Sequence, residues 1–149
     1  MKPQVMNRIV VFFVLLLFVS CSSKVTQEKD LIKKDKLVMY SASELALLME
    51  EMYQYNDSIK TLIENGILPT QQFPDKFLKI HTAEMTSTFE RNSIYESFAK
   101  TFVEYENSIN TSTLENVKIN FNNAINTCIA CHQTSCTGPI PRIEKLLIK

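Results

Sequence analysis

The chain has 149 residues, 45% of them apolar, and its 16 lysines and arginines are balanced by 16 aspartates and glutamates. A formal net charge of zero gives no basic footprint for nucleic acid, so that partner class is set aside. The length suits one domain with a modest core.

Lys2 and Arg8 precede an unbroken apolar run from Ile9 to Val19, the pattern of an export signal. The run is too short to span a bilayer comfortably. It ends in "LLLFVSCSSK", where Ser20 precedes Cys21, and this resembles a bacterial lipobox, whose cysteine becomes the lipidated first residue after cleavage. Phe18 replaces the usual leucine, which stands one place earlier as Leu17. A plain secretory peptide cut near Ser20 and a retained membrane anchor are the alternatives, and all three export the domain. Residues 1–20 are therefore expected to be a lipoprotein signal peptide. Losing Lys2 and Arg8 would take the formal charge from 0 to −2. Residues 21–40 are expected to form a lipid-anchored flexible linker, because Ser22 to Lys36 is polar, charged and without apolar periodicity. The folded domain is expected over 41–149.

Within it, Leu45, Leu48, Met52, Tyr55, Ile59 and Leu62 alternate three and four apart, and Met49 and Ile63 widen that helical stripe. Ser41-x-x-Glu44 has capping-box form, and Gly66 with Pro69 supplies a stop, so the spacing predicts a helix over about 42–65. A second, shorter element is expected around Pro74 to Ala83, with Phe73, Phe77 and Ile80 on one face. Tyr95, Phe98, Phe102, Tyr105 and Ile109 mark a third, with Ser93-x-x-Glu96 at its start. The fourth begins near Ser112-x-x-Glu115 and places Leu114, Val117, Phe121, Ala124, Ile125 and Cys128 along one side. Gly138, Pro139 and Pro141 then break the chain before a short amphipathic tail, Ile143 to Ile148. Two glycines, no alternating strand and no repeat make the chain all-α. The expected architecture is an up-down antiparallel four-helix bundle with an extended N-terminal tether and a short tail helix.

Three of the four cysteines and one of the two histidines fall within "NTCIACHQTSC", Asn126 to Cys136, at the end of the fourth helix. Cys128 to His132, "CIACH", has the C-x-x-C-H form of c-type haem attachment. Each thiol adds across a haem vinyl group to give a thioether, and the histidine presents its imidazole to the iron from the same side. On a helix, Cys131 lies three and His132 four residues from Cys128, so all three project from one region. Zinc is one alternative, since Cys128, Cys131, His132 and Cys136 would supply four ligands, but Cys131 and His132 diverge by about 100° around a helix. A disulfide is the other, permitted by an oxidising compartment. A thioredoxin-like CxxC belongs instead at a strand-to-helix junction.

A haem motif at the end of the last helix of a four-helix bundle resembles the class II c-type cytochromes, the cytochrome c′ family. The likeness covers roughly 42–132 as architecture, with "CIACH" as its specific motif. The family usually continues with basic or aromatic residues after the histidine, whereas this chain continues "QTSCTGPIPR". The resemblance implies one covalent haem c on Cys128 and Cys131, His132 as axial ligand, and a methionine of the first helix, in "LMEEM", as sixth ligand where there is one. Met49 fits that position and Met52 is the alternative; a methionine at this spacing is otherwise a core filler. His81 is a rival ligand, expected rather to be partly exposed, and Met39 and Met85 are weaker candidates. Tyr53 and Tyr55 are candidate hydrogen-bond donors near the haem, though half-buried tyrosines with surface hydroxyls are the ordinary case. Arg142 is a candidate partner for a haem propionate. Cys136 is left unpaired: a free thiol under the tail, or an intermolecular disulfide that would make a homodimer.

The expected function is that of a monohaem electron carrier, not an enzyme, meeting redox partner proteins on the periplasmic side of a bacterial envelope. Lipid on Cys21 would hold it to the membrane, and Ser22, where inner-membrane retention favours aspartate, points to the outer membrane. The alternative is a five-coordinate haem protein of cytochrome c′ type that binds NO or CO.

Overall fold

The computed structural model describes residues 41–149, so the expected signal, the lipidation site Cys21, the linker and Met39 lie outside the described residues. All regular structure within 41–149 is helical. No helix among the described residues is long and apolar enough to cross a membrane.

Helix α1 spans Glu44–Glu64 and buries Leu45, Leu48, Met52, Asn56 and Ile59, the expected stripe with one polar residue in it. Its cap is Ser43 rather than Ser41: the Ser43 hydroxyl accepts the Ala46 N–H at 3.2 Å. A distant loop decides this start. Leu45 N–H donates to the Glu84 carbonyl at 2.9 Å, the Glu44 carboxylate accepts Glu84 N–H at 3.1 Å, and Ser43 and Thr86 share a hydroxyl bond. The helix stops where expected. Gly66 adopts φ +72°, and the N–H groups of Gly66 and Ile67 close on the carbonyls of Ile63 and Leu62.

The second element is a seven-residue 3-10 helix, Asp75–His81, rather than an α-helix reaching Ala83. Its bonds run from i to i+3, as from Phe77 N–H to the Pro74 carbonyl at 2.9 Å, which stacks Phe77 and Ile80 on one buried edge. Lys76 and Lys79 tie it to Glu51 and Glu44 of α1.

Helix α2 spans Ser93–Ile109 and is capped by Asn92, whose Oδ1 accepts the Tyr95 N–H at 2.9 Å, in place of the expected Ser93 box. Its buried residues are Ala99, Phe102, Glu106 and Ile109, while Tyr95, Phe98 and Tyr105 are only half-buried. Helix α3 runs from Val117 to Ser135. The Ser112-x-x-Glu115 start fails because Asn116 Oδ1 accepts the Thr113 N–H at 2.8 Å and holds residues 113–116 in a turn. Leu114 therefore sits in solvent, 61% exposed, and not on the core stripe.

The tail folds as a short helix α4, Ile140–Ile143, followed by a 3-10 turn, Glu144–Leu146. Ile143, Leu146 and Ile148 are buried, and Asn122 of α3 clasps the chain end by bonding both the carbonyl and the N–H of Ile148. Two core clusters result. One gathers Leu45, Leu48, Met52, Phe73, Phe77 and Phe102; the other gathers Ile59, Val117, Phe121, Ile125 and the tail residues.

Candidate cofactor site

Between the two clusters a cavity of about 310 Å³ brings Met49, Met52, Cys128, Cys131, His132 and Arg142 to one lining. That volume lies at the lower edge of the range for small-molecule sites. Of the candidates within 41–149, only His81 and Tyr55 are absent from it.

Cys128 and Cys131 are free thiols, both half-buried, one turn apart on α3. Burial pushes the Cys128 thiol far up, and Glu106 and Cys131 would push it further when ionised. Burial raises Cys131 as well. Zinc binding or disulfide exchange would have to draw a proton from each thiol first. Among the described residues no three His, Cys, Asp or Glu side chains gather closely enough to hold a metal ion.

His132 is positioned by the end of its own helix. α3 ends at Ser135, and Cys136 leaves it with φ −135° and ψ 81°, turning its carbonyl back toward the imidazole. Nδ1 of His132 lies 2.8 Å from that carbonyl oxygen. A carbonyl can only accept, so Nδ1 carries the proton and Nε2 keeps its lone pair free for a metal. This is where Cys136 belongs: its backbone carbonyl holds the His132 ring, and its half-buried thiol lines the same cavity.

The opposite wall separates the two methionine candidates. Met52 is a core residue, 5% exposed, whereas Met49 is half-buried and faces the cavity beside Met85. Met85 reaches the site because the loop holding Glu84 and Thr86 is pinned to the start of α1. His81 takes no part in the lining; its Nδ1 lies 2.7 Å from a Glu96 oxygen. Tyr55 is also elsewhere, packed edge-on against Phe73 and Phe77. Tyr53 does line the cavity, with the Arg142 guanidinium 3.8 Å from its ring centre. Arg142 is also bidentate to Glu50, which it holds down at about 2. It thus straps the tail to α1 across the cavity rim.

Sequence reasoning missed a buried polar pair, Asn56 on this lining and Glu106 next to it, each 2% exposed. The available signal was position: Glu106 lies four residues after Phe102 and three before Ile109, on the buried stripe itself.

Two neutral thiols one turn apart, an imidazole and a thioether on the lining of one largely apolar cavity are donor types that fit a covalently held metalloporphyrin. No family model, characterised protein or solved structure matches the chain at a significant level.

Proposed function

We propose that the chain is a monohaem c-type cytochrome, anchored by lipid on Cys21 to the bacterial outer membrane and facing the periplasm, that carries single electrons between redox partner proteins. The observation that carries this reading is the His132 ring, fixed with Nε2 free on the same cavity as Cys128, Cys131 and Met49. Cys128 and Cys131 would hold the haem, and His132 and Met49, with Met52 the alternative, would ligate its iron. When bound, the haem supplies a centre that gains and loses one electron. The chain orients the imidazole through the Cys136 carbonyl and excludes water with Phe98, Phe102 and Met85. It does no bond chemistry, and its partners meet it through small transient interfaces.

An up-down four-helix bundle is the architecture we infer, with Asp75–His81 standing in for a full second helix. Its support is a closed ring of neighbours: α1 packs on the 3-10 element, that element on α2, α2 on α3, and α3 back on α1.

The apolar lining also supports a second reading, in which Met49 only packs and the open position binds NO or CO. The test is the visible spectrum of the full chain, exported alongside a haem-attachment system and reduced with dithionite, with and without carbon monoxide. Sharp low-spin bands indifferent to the gas are expected for the electron carrier, and Met49→Ala should make them broad and gas-sensitive. A gas-sensitive wild type selects the second reading, and an unchanged variant removes Met49 as ligand.

A further inference from the structure

Glu106 on α2 is buried between α1 and α3, and neither of its carboxylate oxygens has a hydrogen-bond partner. Beside it on α1, Asn56 donates Nδ2–H to the Met52 carbonyl at 3.1 Å and leaves its Oδ1 unpartnered. These three buried acceptors have no full hydrogen bond, and the nearest donor to the carboxylate is the Asn56 amide already given to Met52, a costly arrangement around a negative charge. One proton eases it, because a neutral carboxyl carries no charge and has one fewer acceptor to satisfy.

The surroundings favour that neutral form. Tyr55 and Asn56 face Glu106 from α1, and Cys128 faces it from α3; none is a cation. On the 3-10 element, His81 is engaged by Glu96, and Lys76 and Lys79 by Glu51 and Glu44. In the tail, Arg142 is engaged by Glu50. Burial pushes the Glu106 carboxyl up to about 8, with the Asn56 amide pulling the other way. Asn56 and Cys128 both line the cavity, so Glu106 is one side chain removed from whatever occupies it.

We propose that Glu106 and Asn56 form an internal proton site that releases its proton when positive charge enters the neighbouring cavity and recovers it when that charge is neutralised. A nearby positive charge favours the ionised carboxylate. The identity of the charge rests on the haem reading, since ferric iron carries one more positive charge than ferrous. An electron arriving from a redox partner protein is then accompanied by one proton from solvent onto Glu106. When the electron leaves, that proton returns to solvent.

Two measurements on the full chain, wild type and Glu106→Gln, test this, with the unfolding and infrared spectra taken under dithionite so that any iron held is ferrous and Glu106 keeps its proton. The first is urea unfolding between pH 5 and pH 8. Glu106 keeps its proton in the folded chain up to about 8 and loses it near an ordinary carboxylate value of about 4.3 once unfolded. The folded state therefore binds more protons, and stability falls as pH rises. The wild-type folding constant should drop about tenfold more per pH unit than that of the variant across this window; equal slopes overturn the proton site, whatever the chain carries. The second is the midpoint potential against pH, expected to shift by one proton per electron in the wild type and to be flat in Glu106→Gln. A flat wild type overturns the coupling. Absence of haem absorbance overturns the haem reading and the coupling with it, while the urea comparison still judges the proton site. Should Glu106→Gln not fold, the infrared spectrum of the wild type decides: a protonated-carboxyl band that shifts in heavy water supports the site, and its absence overturns it.

Discussion

The two ends of the domain are built from different material. At one end Ile59, Phe121 and Ile125 are fully buried at 0% exposure, and the tail seals them with Ile143, Leu146 and Ile148. At the other, methionines and half-buried cysteines line a cavity of about 310 Å³, and a buried carboxylate lies one side chain away. Cys128 packs against both clusters and stands at the seam. The closed end carries stability, and the open end forgoes packing that apolar side chains would have supplied. Space and buried polar groups together mark where the chain is shaped for something other than folding.

Breaking the closed end gives the largest expected effect. Phe121→Ala should cost about 3–5 kcal/mol in urea unfolding, since it removes a ring from a site with no room to collapse. At the open end Met49→Ala should cost only about 1 kcal/mol while changing the visible spectrum; a cost equal to that of Phe121→Ala would make Met49 a core residue. The helix starts give the finest test. Ser43→Ala and Asn92→Ala should each lose about 1 kcal/mol, whereas Ser41→Ala, whose side chain caps nothing, should stay within about 0.5 kcal/mol of wild type.

Those caps show where sequence reading stops. The three-and-four spacing located all three long helices, because burial of a stripe is a local property of the chain. The starts are set by groups that spacing does not reveal: Glu84 and Thr86 fix α1 from across a loop, and the Thr113–Asn116 turn delays α3. The second element was placed correctly, but Phe77 and Ile80, three apart, serve a 3-10 edge as well as an α-helical face. At the site, the grouping of Cys128, Cys131 and His132 was legible because residues three and four apart on a helix share a face. Glu106 was not, since a charge within an apolar stripe reads as an interruption. The role of Cys136 was invisible for a different reason: a backbone carbonyl belongs to every residue type.

The central claim is most directly tested by the intact mass of the full chain, purified from an exporting host with a haem-attachment system and denatured before measurement. The account predicts a chain heavier by one haem that resists extraction into acidic acetone, with Cys128→Ala together with Cys131→Ala leaving nothing attached. A wild-type mass explained by polypeptide and lipid alone would contradict it.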